Sequence, residues 1–320
     1  MKTASIPVID LNNPEDYEKL IDGLSKYGLC LIKDTNCTEI ANDIINLGRK
    51  FFSLPLDKKK EYSVSRPNFN SGYWCIEDLT QVFTDGHIEN TLEAISYGSK
   101  DYLKDPDLDI CDIYSFPKEI ENNFDKKVKE FAKRVLKVKS ELLPLISSFL
   151  NTQNIRDLSS YKSGIDNYLS SPLWAMRVNH YPDNSSFMRT HTDRVDCIFN
   201  FTTQPGLEVK MQDDWESVPV VPGTFIFGVG EGLEALSDGK FKAYIHRVAK
   251  TNSDRYSLGL ALMSGKSEEI YVKSKDAWIN MYENLIVRGH KYLKYVNEEL
   301  KDYKAIEDFH KRHAIKARNI

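Results

Sequence analysis

Three short stretches of this 320-residue chain carry side chains whose types and spacing could do chemistry together. The first is His191–Thr192–Asp193. On an extended strand, residues i and i+2 point to the same side, so an imidazole and a carboxylate would converge on one point. The second is His246, well downstream in the strand-like run 243–249 (AYIHRVA). Two imidazoles and one carboxylate make a facial set with open coordination positions, the donor set of non-haem iron(II) chemistry. Zinc takes the same ligand types, so the donors alone leave the metal open. A lone His-x-Asp also arises by chance in a chain with 47 acidic residues, and a lone His is more often ordinary core or surface.

The third stretch is Arg255–Tyr256–Ser257, shortly after His246. On a strand Arg255 and Ser257 share a face, and a guanidinium plus a hydroxyl can grip one carboxylate, the Arg bidentately. A ligand with a carboxylate at one end and a chelating group at the other would span both this pair and the metal. 2-Oxoglutarate has that shape. In 175–182 (AMRVNHYP), alternation puts Arg177, Asn179 and Tyr181 on one side, where Asn179 and Tyr181 are candidates for the same cosubstrate pocket. Arg177, Arg189 and Arg194 lie near these residues in sequence and are candidates for holding an anionic substrate. The plainer alternatives are a structural ion pair for Arg255, packing for Tyr181 and solvated surface for the other arginines.

Such a site needs strands that return to one another. After residue 165 the chain breaks into short alternating segments at 173–181, 194–202, 207–211, 216–220, 224–229, 242–249 and 255–263. Turn signals such as Pro205–Gly206, Pro222–Gly223 and Asp238–Gly239 separate them. That texture predicts an antiparallel sandwich or barrel. Upstream, 6–11 and 28–33 read as strands, with helical spacing at 14–26 and at 38–52, Thr38 being the candidate cap. Residues 53–116 read as loops with short strands. The longest helical pattern is 118–151, with Phe124, Val128, Phe131, Ala132, Val135, Val138, Leu142 and Leu143 on one stripe. Helical patterning returns from about 275 to 313. The expected architecture is a mixed α and β single domain. It comprises a mostly helical part at 1–165, a β core at 166–270 carrying the metal site, and C-terminal helices at 271–320. Residues 66–110 and the C-terminal helices are the candidate lid.

Composition narrows the function classes. Lys and Arg number 43 against 47 acidic residues, a net charge of −4, which argues against nucleic-acid binding by bulk electrostatics. The five Cys are widely spaced and form no C-x-x-C pair, which reads as reduced thiols in a cytoplasmic protein. No apolar run reaches signal or transmembrane length. The expected partner is a small molecule, with no nucleic acid and no membrane, and the expected state is a monomer.

These residues resemble the iron(II)- and 2-oxoglutarate-dependent dioxygenases of the isopenicillin N synthase-like group. NHYP (179–182) is similar to that group's NxYP segment, and HTD (191–193) to its first two iron ligands. The run 222–257, PGTFIFGVGEGLEALSDGKFKAYIHRVAKTNSDRYS, follows its signature in order and spacing. The leading IPVIDL and the run FFSLPLDKKKEY (51–62) also resemble its N-terminal segments. Glu231 and Asp238 stand where many members carry Asp and Asn, and Arg194 where plant members often have a small residue. The resemblance implies a double-stranded β-helix (jelly-roll) core with iron(II) on His191, Asp193 and His246. It also implies 2-oxoglutarate on Arg255 and Ser257 with Tyr181 nearby, and O2 as co-reactant. The activity implied is hydroxylation, desaturation or ring closure at a C–H bond, with release of succinate and CO2. Two alternatives remain: a same-fold oxidase whose Arg255 and Ser257 grip substrate, and a binding protein without chemistry.

Overall fold

Alternating burial along the strands decides the architecture. In β7 (Cys197–Thr202) every second residue is buried, and β5 (Trp174–Tyr181) behaves alike over most of its length. Each strand therefore has two unlike faces, and each face needs a different cover. The computed structural model describes residues 2–63, 72–74, 92–98, 118–152, 173–182, 187–250, 252–263, 269–272 and 277–280.

The larger sheet has eight strands. Its order is β1 (Val8–Ile9), β2 (Leu29–Lys33), β10 (Thr224–Val229), β7, β12 (Arg255–Leu262), β5, β4 (Glu93–Gly98) and β3 (Gly72–Trp74). Its pairings are antiparallel except β1 with β2. A second sheet runs β6 (Met188–His191), β11 (His246–Val248), β8 (Leu207–Met211) and β9 (Asp214–Ser217). The outer face of the larger sheet, with Phe199, Phe227, Val178 and Leu258, packs under helices α1 (Asp16–Lys26), α2 (Thr35–Phe52) and α4 (Lys118–Thr152). Its inner face, with Leu29, Leu31, Ile226 and Tyr181, meets Leu207, Val209 and Val248 of the second sheet. Two sheets with a shared apolar interior make a jelly-roll, with the helices stacked on one side. Each large side chain so buried contributes about 1.5–3 kcal/mol.

The helices follow their stripes. Phe124, Val128, Phe131, Val135, Val138 and Leu142 of α4 are all buried, and Leu143 is half-buried. The cap of α2 is Asp34, not Thr38. Asp34 Oδ1 accepts the Cys37 N–H at 2.9 Å, and Oδ2 takes Arg134 of α4 at 2.6 Å. An acidic cap satisfies a free N–H and favours the helix N-terminus electrostatically. Thr38 falls inside the first turn.

Several boundaries differ from the sequence reading. Residues 194–196 form a bend, and the strand expected at 242–249 is confined to β11. The stretch read as loops with short strands holds β3 and β4 and also a short helix, α3 (Leu56–Lys60). Sequence patterning missed β6 and the helix α5 (Glu231–Leu236), each too short to show a period. Where helical patterning was expected to resume, β14 (Ala277–Asn280) pairs antiparallel with β13 (Glu269–Val272). The remainder of the expected C-terminal helices and most of the 66–110 stretch lie outside the described residues.

Candidate active site

His191 ends β6 and His246 begins β11, and the two are directly paired across that ladder. Their ring centroids are 4.1 Å apart. Asp193 arrives differently from the strand alternation expected. It sits past the end of β6, in the loop that the 194–196 bend continues. The N-terminus of α5 holds that loop. Glu231 N–H donates to the Asp193 carbonyl at 2.9 Å, Gly230 N–H to Asp196 at 3.0 Å, and Gly232 N–H to Val195 at 3.0 Å. Thr192 Oγ1 also donates to Glu231 Oε1 at 2.9 Å. The carboxylate therefore reaches His191 Nε2 at 3.9 Å and His246 Nε2 at 3.8 Å. One donor atom from each of the three lies within 4.8 Å of the other two.

The electrostatics suit a metal. Burial, and then the neighbouring His191, push His246 down to about 4, so its imidazole is neutral. The Tyr244 carbonyl can only accept, so His246 Nδ1 carries the proton and donates to it at 3.1 Å. Nε2 is left as a lone pair facing Asp193. Two imidazole nitrogens and a carboxylate oxygen fit iron(II) by donor chemistry.

Sequence reasoning overlooked two residues here. Tyr244 Oη donates to Asp193 Oδ2 at 3.1 Å and accepts from Asn200 Nδ2 at 3.1 Å. Its ring stacks on His246 with centroids 4.1 Å apart and planes at 13°. Burial, then the Asp193 charge, push the Tyr244 phenol well above 10, so it stays a donor. The signals available were the two-residue spacing of Tyr244 from His246 and a polar Asn on the inward side of an apolar strand.

The register of the larger sheet builds a second cluster. Arg255 pairs with Tyr181, Ser257 with Asn179 and Thr202, and Gly259 with Arg177 and Asn200. Ser257 therefore stands two residues, about 7 Å, along β12 from the position beside Asn200. Arg255 is 2% exposed. Its Nε donates to the Pro205 carbonyl at 3.1 Å and its guanidinium lies 5.0 Å from the Tyr181 ring centroid. Its Nη1 finds no acceptor, and it forms no ion pair among the described residues. Burial accordingly holds its pKa below the usual arginine value. Asn179 Nδ2 donates to Ser257 Oγ at 3.4 Å, while Asn179 Oδ1 is unpartnered. The Tyr181 phenol is pushed up by burial, with Arg255, Ser257 and Arg177 drawing it partly back. A buried cation with an unused N–H beside hydroxyls is short of one anion, and a carboxylate fits.

The three remaining arginines come from three different segments. Arg177 is half-buried on the inner face, with Nε donating to Ser96 Oγ at 3.3 Å and its guanidinium 5.5 Å from the Trp74 ring. Arg194 is exposed on the bend after Asp193. Arg189 lies on β6, and its side chain is outside those described. His180 is structural. It is buried on the outer face, its Nδ1 2.8 Å from Glu93 Oε1 and its ring stacked on Tyr256.

A jelly-roll with two imidazoles and a carboxylate converging inside it is the arrangement of a non-haem iron oxygenase. The comparisons agree. Residues 174–264 match the model of the 2OG-Fe(II) oxygenase superfamily. Residues 6–123 match the N-terminal model described as non-haem dioxygenase in morphine synthesis. The 2-oxoglutarate-dependent dioxygenase tropC of Talaromyces stipitatus is 27% identical over 80% of this chain and 86% of its own. A flavonol synthase/flavanone 3-hydroxylase of Arabidopsis thaliana is 25% identical over 77% of this chain and 71% of its own. Among solved structures, a 2OG-Fe(II) oxygenase family protein of Caulobacter crescentus superposes with a TM-score of 0.70 at 19% identity. It covers 90% of this chain and 99% of its own, a likeness of fold. The chain belongs to the 2OG-Fe(II) oxygenase superfamily and is a dioxygenase of that family, which uses iron(II), 2-oxoglutarate and O2.

Proposed function

We propose that this enzyme oxidises a C–H bond of a small anionic metabolite, by hydroxylation, desaturation or ring closure. His191, Asp193 and His246 hold the iron, Arg255 and Ser257 bind the distal carboxylate of 2-oxoglutarate, and Tyr181 and Asn179 line that pocket. The observation that carries the cosubstrate assignment is the buried Arg255 guanidinium, whose Nη1 has no partner and which forms no ion pair among the described residues. When bound, the iron and cosubstrate supply the oxidising chemistry, with 2-oxoglutarate converted to succinate and CO2. The chain's own part is to orient both groups and to keep water out of the interior between the two sheets.

Arg177 is the candidate for the substrate's charge. It shares the inner face with Asn179 and Tyr181, next to Gly259 in register, and is half-buried. Among the relatives, one from Arabidopsis thaliana is named a 1-aminocyclopropane-1-carboxylate oxidase and others are named for flavonols or gibberellin, so names alone choose no substrate. The test is succinate release from the full chain loaded with iron(II), with candidate acids added. Succinate should rise with an anionic substrate. Arg177→Ala should raise its KM while leaving 2-oxoglutarate affinity unchanged. Succinate release that never appears, together with no 2-oxoglutarate binding, would overturn the proposal. An unchanged KM would remove the anionic reading alone.

A further inference from the structure

We infer that Tyr244 is the positioning residue of the metal centre: its hydroxyl engages Asp193 Oδ2 and leaves the carboxylate to meet the metal through one oxygen. The inference rests on the proposed ligand role of His191, Asp193 and His246.

Hydrogen-bond logic fixes the direction of the chain. An ionised carboxylate accepts only, so the single phenolic proton of Tyr244 must point at Asp193 Oδ2, 3.1 Å away. The Tyr244 oxygen must then accept from its other neighbour. That requires Asn200 to present its Nδ2 side, at 3.1 Å. Asn200 thus orients Tyr244, and Tyr244 orients Asp193. Oδ1 of Asp193 accepts no hydrogen bond among the described residues. A carboxylate held this way would offer one oxygen, so the three residues would hold the metal through one donor atom each and leave it open positions for the cosubstrate and O2. A carboxylate free to rotate could chelate through both oxygens and use up one of those positions.

The surroundings are shaped for this ring. A Cβ on Gly228 would stand 2.5 Å from Tyr244 Cε1, and a Cβ on Gly259 would stand 2.7 Å from Asn200 Oδ1. Both strands carry glycine where a side chain would displace the pair. The same ring stacks on His246, so Tyr244 touches two of the three proposed ligands by two different contacts.

Tyr244→Phe separates these contacts, keeping the stack and deleting the hydrogen bond. The experiment titrates Co(II) alone into the metal-free full-length protein and records both affinity and the d–d absorption of the bound ion. His246→Ala, which should abolish binding, marks the site. Tyr244→Phe is expected to weaken Co(II) binding roughly 10- to 100-fold and to alter the d–d envelope. Asn200→Val should weaken it less, and should add nothing in the Tyr244→Phe background, because it acts through the same hydroxyl. A general loss of structure would not move the spectrum of the bound ion or make the two changes non-additive. Unchanged affinity and spectrum in Tyr244→Phe would overturn the inference while leaving the ligand set intact. Failure of the unaltered chain to bind Co(II), or binding that survives His246→Ala, would overturn the ligand set and this inference with it.

Discussion

Replacing Arg255 by Met should have opposite effects on stability and on cosubstrate binding. The guanidinium is 2% exposed, donates one hydrogen bond to Pro205, and has no carboxylate partner among the described residues. Removing an under-compensated buried charge is favourable, and leaving the Pro205 carbonyl unpaired costs about 1–3 kcal/mol. These nearly cancel, so the metal-free Arg255→Met protein should unfold within about 1–2 kcal/mol of the unaltered chain. A ligand carboxylate would lose two charge-assisted hydrogen bonds worth about 1.5–3 kcal/mol each. A loss of about 3–6 kcal/mol is roughly two to four orders of magnitude in Kd. Arg255→Lys should recover little of it, because an ammonium cannot reproduce the planar fork. Urea unfolding of the metal-free protein and anaerobic calorimetric titration of 2-oxoglutarate into the metal-loaded protein measure the two effects separately. Retained 2-oxoglutarate affinity in Arg255→Met would refute the carboxylate role. A fall in stability of several kcal/mol with only a modest change in affinity would show the guanidinium to be structural.

Two further outcomes follow from the packing around the site. A Cβ on Gly232 would stand 2.1 Å from Asp196 Oδ1 and 2.8 Å from its Cα, so the turn carrying Asp193 must shift. Gly232→Ala should therefore cut Co(II) affinity at least about tenfold as well as lower Tm; unchanged affinity would mean that α5 does not set the carboxylate. On the outer face, burial raises the Glu93 carboxyl, but hydrogen bonds from His180, Lys59 and Tyr73 outweigh it and hold it below the ordinary value of 4.5. The unfolded chain takes up this proton first as pH falls, so the stability Glu93 confers is complete above about 4.5 and is lost as pH drops through the lower folded value. Glu93→Gln should cost about 3–5 kcal/mol at pH 7 and flatten this part of the acid limb in urea-midpoint measurements; an unaltered limb would refute the network's role.

The sequence by itself determined the donor types, the strand-rich texture after residue 165 and the stripe of α4. Each is a local property of composition or period, readable without a partner. It also brought Arg177, Asn179 and Tyr181 to one face, and Arg255 and Ser257 to another, because strand alternation is intrinsic to the backbone. Only the tertiary structure decided that these two faces adjoin, through the pairing of β5 with β12. It replaced strand alternation at Asp193 with a loop held by the backbone N–H groups of α5, a contact between segments with no mutual signal in sequence. Asp34 likewise became the cap of α2 with help from Arg134, a hundred residues away. Asn200 was a polar residue in an apolar strand, and Tyr244 a phenol just ahead of β11, until the sheets closed. Their significance is a distance of 3.1 Å across the interior, and such a distance exists only once long-range pairing has offset the entropy of closing the intervening chain.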